Sequence, residues 1–212
     1  MHDWSVIKKE GSAEHWNDVY SSGATTRSWF QVVPAFSLMM LDAAGTSDRD
    51  SVIDVGGGAT TLTDALLDQG YADVTVLDIS ATALELAQER LGPQASRVKW
   101  VVADVLTWRP ERHYQVWHDR AVFHFLTTHD ARQRYVDAMN AATGTRSVAV
   151  FGCFAPDGPS SCSGLPTARY DTHALAAVLG ADWTPVASDR EEHITPTYAV
   201  QPFTWAAFRR QR

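Results

Sequence analysis

The residues best equipped for chemistry in this chain are carboxylates set beside glycines. Val52-Ile53-Asp54-Val55 is a short apolar run that ends on Gly56, Gly57 and Gly58. A strand running into glycines lets the backbone turn tightly and lets a ligand approach with no Cβ in the way. Asp78 and Ile79 end a second run about twenty residues after Gly56, where a carboxylate can accept from both hydroxyls of a ribose. Asp104 and Val105 end a third. Three acids along one edge suit a cationic nucleoside that carries an amino acid and repel a pyrophosphate. A dinucleotide loop would want a further glycine at position 61, and the chain has Thr61. Any one of these acids could simply cap a turn. Three at successive strand ends beside one glycine loop favour a ligand.

A second constellation follows at Val116 to Leu126, where His118, Asp119, Arg120 and His124 fall at the end of a fourth apolar run. Ligands of open α/β sheets lie over strand carboxyl ends. His118 is the expected proton acceptor, being closer to the strand end than His124, and Asp119 and Arg120 complete the catalytic set. The planar fork of Arg120 suits an acidic group, and His124 is expected to touch substrate. The plain alternative for both histidines is a ring hydrogen-bonded beside the sheet. His113, His118, His124 and His129 fit no standard ligand spacing, so no metal is expected. Trp16, Tyr20, Trp29 and Phe30 read mainly as core. A cationic ligand gains roughly 0.5 to 2 kcal/mol from an aromatic face, so one or two of these rings could close over it; Trp29 is expected at the cofactor and Tyr20 at the substrate. Cys162, Arg169 and Tyr170 are further substrate candidates.

These residues need a scaffold of parallel strands and crossover helices. Strands are expected at Ser51 to Val55, Asp73 to Ile79, Arg97 to Ala103, Tyr114 to Asp119 and Ser147 to Phe154. Helices are expected at Thr60 to Gln69, Ala81 to Leu91 and Ala131 to Ala142, with Ser80 and Asp130 as caps. Residues 1–45 read as a helical cover, 51–154 as the cofactor-binding core, and 155–212 as a substrate loop, a helix at Thr172 to Leu179 and a closing β-hairpin. That hairpin is read as Trp183 to Ser188 and Tyr198 to Phe208, joined by the polar Asp189 to Thr197. The whole is one α/β domain over residues 1–212, Rossmann-like, with a seven-stranded mixed sheet, helices on both faces, and only the last strand antiparallel.

The set Asp54, Gly56, Gly58, Asp78 and Asp104 resembles the signature of class I methyltransferases that use S-adenosylmethionine (SAM). The resemblance implies that Asp54 supports the methionine amino group through the loop, Asp78 holds the ribose and Asp104 lies near the adenine amino group. Asp119-Arg120, Arg134-Tyr135 and Gly158-Pro159 ahead of the Asp171 helix resemble the thiopurine S-methyltransferase family, with Ala121 where that family has glycine. The glycine loop and His15 to Tyr20 resemble the lysine methyltransferases of translation factors and citrate synthase. These likenesses imply methyl transfer to a small polar or thiol-bearing acceptor, with a protein lysine as the alternative. A noncatalytic SAM-binding regulatory domain is the reading from a different class.

Composition bounds the partners. Among 212 residues, 18 Lys and Arg stand against 25 Asp and Glu, a formal charge of −7. That works against nucleic acid as the main partner. No apolar stretch approaches the roughly 18 residues of a membrane span, and the start of the chain lacks the apolar run of a signal peptide. With only Cys153 and Cys162, the expected setting is the reducing cytoplasm.

Overall fold

The computed structural model describes residues 11–212. The start of the chain, on which the reading of a missing leader rests, lies outside the described residues. The strands are β1 (Val52–Val55), β2 (Val74–Asp78), β3 (Val98–Val102), β4 (Tyr114–Arg120), β5 (Thr143–Phe154), β6 (Ser161–Cys162), β7 (Leu165–Pro166), β8 (Trp183–Ile194) and β9 (Val200–Arg210). The helices are α1 (Ala13–Ser21), α2 (Ala35–Ala43), α3 (Leu62–Asp68), α4 (Ala81–Leu91), α5 (His129–Ala142) and α6 (Thr172–Leu179).

Within the described residues seven strands form one sheet in the order β3-β2-β1-β4-β5-β9-β8. β1 runs parallel to β2 and β4, β2 to β3, and β4 to β5, while β9 is antiparallel to β5 and β8. The strand order reverses at β1, so β1 and β4 part beyond their carboxyl ends and leave a crevice there. Successive strand residues face opposite sides, and both sides are covered. Ile53, Trp117, Phe151 and Phe208 pack against Tyr135 of α5 and Leu175 of α6. Val52, Val76, Val116 and Trp205 pack on the other side against Met40, Leu66 and Leu84 from α2, α3 and α4. Burial on both faces is why these strands read as unbroken apolar runs.

Several boundaries differ from the sequence reading, each for a local reason. α5 begins at His129 because Thr128, not Asp130, is its cap, its hydroxyl accepting from the Ala131 amide at 3.2 Å. Ser80 and Asp171 cap α4 and α6 as expected. α3 starts at Leu62 because Thr60 and Thr61 complete the glycine turn. β5 begins at Thr143, which pairs with Tyr114 ahead of a register shift. β8 runs on to Ile194 through residues read as a polar loop, because Glu191 and His193 face inward and find polar partners there. The stretch after β5 contains the small β6-β7 hairpin, whose turn residues Ser163 and Gly164 both take positive φ (51° and 79°), as a tight two-residue hairpin turn requires. No helix among the described residues is long and apolar enough to cross a membrane.

Candidate functional site

The carboxyl ends of β1 to β4 open into one cavity of about 580 Å³. Gly56, Asp78, Ile79, Asp104 and Val105 line one end, and Arg120, His124, Phe154 and Phe203 line the other. Trp16, Tyr20 and Trp29 from the N-terminal cover close over it. Cys162 and Leu165 of the β6-β7 hairpin form part of the wall.

The glycine loop is shaped by close approach. Gly56 has φ +65°, and a Cβ there would lie 1.9 Å from the Val122 side chain. Gly58 has φ +45°, and its Cβ would come within 2.8 Å of the Tyr20 hydroxyl and 3.0 Å of the Asp78 carboxylate. Bare backbone therefore faces the cavity. Asp54 buttresses this loop from below: its Oδ2 is 2.5 Å from where a Gly57 Cβ would sit. Asp78, 6% exposed, accepts from the Ser80 amide at 2.7 Å. Burial, with the charge of Asp54, pushes its carboxyl up to about 7. Such a group gains from hydroxyl donors that favour its charged form. Asp104 accepts from the Leu106 amide at 2.9 Å. Leu77, Ile79 and Val105 give this end apolar walls.

The cover is anchored rather than simply laid on. Asn17 of α1 accepts from the Ser80 hydroxyl at 2.8 Å and from the Thr82 amide at 3.3 Å, which ties α1 to the start of α4. Trp29 meets Trp16 and Tyr20 edge to face, and Trp16 meets Phe125 likewise. Tyr20, expected at the substrate, instead lies beside Gly58 and Asp78 at the other end. Burial raises its hydroxyl pKa above the ordinary value.

The three residues expected to be catalytic separate. His118 is not among the residues lining the large cavity. Its Nδ1 donates to Asp54 at 2.7 Å, and its Nε2 meets the Ser37 hydroxyl at 3.0 Å. With both ring nitrogens engaged, this histidine links β4 to β1 and α2, which speaks against the expected base. Asp119 also turns away, accepting from the Val122 and Phe123 amides and from the Tyr135 hydroxyl. It organises the turn after β4, and burial pushes its carboxyl up to about 6. Only Arg120 of the three lines the cavity. Its Nη1 donates to the Trp29 carbonyl at 2.8 Å, while Nε and Nη2 are buried without partners among the described residues.

Of the remaining candidates, His124 and Cys162 line the cavity, and Arg169 and Tyr170 do not. Arg169 is exposed, and Tyr170 packs in the core beside Phe123. Burial raises the Cys162 thiol. Residues that sequence reasoning missed include Gln201, Phe154 and Phe203. They sit on β5 and β9, where strand periodicity explains Phe154 and Phe203 fully as core and nothing marks Gln201 as a ligand. Asn17 stands inside the noted His15 to Tyr20 run, so that signal was present.

Residues 52–143 match the family described as methyltransferase domain. This stretch of the chain is similar to a methyltransferase domain. The mouse (Mus musculus) eEF1A lysine and N-terminal methyltransferase is 26% identical over 141 residues, covering 65% of this chain and 20% of the relative. The chain thus spans about a fifth of the length of this curated relative. Among solved structures, the Burkholderia thailandensis 1,6-didemethyltoxoflavin-N1-methyltransferase, with 1,6-didemethyltoxoflavin and S-adenosylhomocysteine (SAH) bound, superposes with a TM-score of 0.67 at 21% identity, over 98% of this chain and 86% of that one. A SAM-dependent methyltransferase from Anabaena variabilis gives 0.74 at 16% identity, over 94% and 95%. At these identities the structures share the fold.

The cavity suits SAM. The bare-backbone cradle at Gly56 and Gly58, the buried carboxylate of Asp78 with its raised pKa, and the apolar walls around Ile79 and Val105 match a nucleoside with ribose hydroxyls and a flat base. The aromatic cover offers π faces to a cation. The volume is within the usual range for a small-molecule site.

Proposed function

We propose that this methyltransferase domain transfers a methyl group from SAM to a small polar or thiol-bearing acceptor. One observation carries the reading: a single cavity reaches from the glycine loop and Asp78 to Arg120 and His124 under an aromatic cover. Bound SAM supplies an electrophilic methyl group on a sulfonium sulfur. For the chain's own part, Asp78 accepts ribose hydroxyls, Asp104 stands at the adenine, and Trp16, Tyr20 and Trp29 exclude water from above. Arg120 and His124 hold the acceptor at the other end. Closing off water strengthens these polar contacts, and holding two reactants in line is the main service such a reaction needs.

Methylation of a protein lysine is the second reading, supported by the likeness to the mouse enzyme. Against it stands Arg120, a buried cation on the cavity wall that opposes an entering ammonium. The test is SAH release by the purified protein from SAM, with panels of thiols, phenols and amines and with a cell lysate. Release with thiols or phenols is the expected result. Label transferred to lysate protein would support the lysine reading, and SAH binding without turnover on any acceptor would leave a binding domain.

A further inference from the structure

Resting on that reading, we infer that Arg120 and His124 form an anion-binding subsite, so that the acceptor enters as its conjugate base: an ionised thiol, phenol or similarly acidic group on a flat apolar frame. The inference begins with hydrogen-bond donors left over. Arg120 is buried with Nε and Nη2 unpartnered among the described residues. The charged groups that face it are Asp54 and Glu191, along with the Tyr20 hydroxyl. Both carboxylates are engaged elsewhere: Asp54 accepts from His118, and Glu191 accepts from Gln31 at 2.6 Å and Trp205 at 2.7 Å. The Arg120 guanidinium lies over the Phe203 ring, 5.2 Å from its centroid, so an apolar surface borders the charge.

His124 adds a donor and withholds a base. Its ring stacks on Phe154 with centroids 4.3 Å apart. The Phe154 amide N–H donates to Nδ1 at 3.3 Å, so Nδ1 carries the lone pair and Nε2 carries the hydrogen. That Nε2 is buried and unpartnered. Burial and the nearby Arg120 charge hold the ring neutral, its pKa lowered to about 3. A neutral ring already accepting at Nδ1 can donate to a ligand but cannot take its proton through Nε2.

Both residues line the cavity, and their buried, unpartnered N–H groups lie within this wall beside one positive charge. His118 and Asp119, the other titratable groups of this strand end, are spent on Ser37, Asp54 and the turn amides. Among the described residues of this strand end, an acceptor that must lose a proton finds no free base, whereas one that arrives ionised finds Arg120 and His124. Gln201 lines the same cavity with its side-chain oxygen unpartnered, which suits an acceptor that carries a donor beside the anionic atom. Phe154 and Phe203 match a flat frame.

The probe is 4-nitrophenol, whose ionisation is read from its colour, added to SAH-saturated full-length protein across its titration, with uncharged 4-nitroanisole as the control. The bound phenol should titrate about one unit or more below the free one, meaning that phenolate binds at least about tenfold tighter than phenol. 4-Nitroanisole should bind no better than phenol. Arg120→Met should lower phenolate affinity about tenfold while SAH affinity stays within about threefold, and Arg120→Lys should recover part of the loss. An unshifted or raised titration of the bound probe overturns the subsite, and the wild-type measurement needs no variant to fold. Equal loss of SAH and phenolate binding in both Arg120 variants assigns this arginine to the cofactor and also overturns it. If wild-type protein fails to bind SAH, the methyl-transfer reading falls first and the subsite falls with it.

Discussion

Asp54 and His118 are register partners on adjacent parallel strands, and their side chains are joined at 2.7 Å in the sheet interior. Ser37 of α2 meets the other ring nitrogen at 3.0 Å. The imidazole thus fastens the acid beneath the glycine loop to the N-terminal cover. His118→Gln should lower stability by about 1–3 kcal/mol, the usual penalty for leaving a buried partner unsatisfied, read as a lower urea midpoint at unchanged slope. Once an acceptor is known, kcat/KM for wild type and variant should show coincident pH profiles. A basic limb or acid limb lost only in the variant would restore His118 as a proton acceptor.

On the proposed reading, Asp78 is expected to couple cofactor binding to protons. In the free protein, burial and then Asp54 raise its carboxyl to about 7. A raised pKa means that folding takes up a proton at this group. Its contribution to stability is complete below the ordinary carboxylate pKa and is lost as pH rises through about 7. Ribose hydroxyls favour the ionised form, so SAH affinity should weaken as pH falls below about 7, by up to about tenfold per unit. Calorimetry between about pH 5 and pH 8 on wild type and Asp78→Asn should show a slope in the first and little in the second. Asp78→Ala should reduce binding by about 1–3 kcal/mol. Wild-type affinity in Asp78→Ala would remove the ribose assignment.

Ala121 follows Arg120 with φ +70° while its amide donates to Gly152 at 2.9 Å. A left-handed conformation costs an alanine roughly 1–2 kcal/mol, partly offset by its smaller loss of chain entropy than glycine's. Ala121→Gly should therefore raise stability by about 0.5–1 kcal/mol, seen as a higher urea midpoint. A lower midpoint would mean that the Ala121 methyl contributes packing worth more than the strain.

The glycine-loop end of the cavity was legible because its signals are local. Asp54, the glycines and Asp78 follow strands whose unbroken apolar runs are visible in sequence, and a φ-positive turn needs glycine wherever it occurs. The end lined by Arg120 and His124 was only partly legible. Arg120 and His124 drew attention as polar residues after a strand, but nothing in sequence distinguishes them from His118 and Asp119, since direction depends on the turn that Ala121 and Val122 make. β8 was cut short because its inward positions are Glu191 and His193, so alternation of apolar residues fails where the sheet buries a polar network. Phe203 is brought to the cavity by antiparallel pairing with Phe154 of β5, and Gln201 lies opposite His193 of β8, long-range contacts that no local pattern encodes.

That polar network also predicts how the cover is held. Residues 28–31 are strapped to the sheet by three hydrogen bonds: His193 to the Ser28 carbonyl at 2.6 Å, Arg120 to the Trp29 carbonyl at 2.8 Å, and Gln31 to Glu191 at 2.6 Å. Glu191 is the hub, since it also accepts from Trp205 at 2.7 Å and its charge faces Arg120. Burial would raise its carboxyl, but the His193 ring 3.6 Å away and the Arg120 charge, with the Trp205 hydrogen bond, hold it below the ordinary value. Glu191→Ala strands the Trp205 and Gln31 donors and should cost about 1.5–3 kcal/mol. The strap should loosen before the sheet does, because its few hydrogen bonds make it a weakly held segment. Hydrogen exchange followed by mass spectrometry should show faster exchange over residues 24–34 in the variant, with β1 and β4 still protected. Unchanged exchange over residues 24–34 would show that the aromatic contacts of Trp29, rather than Glu191, keep the cover closed.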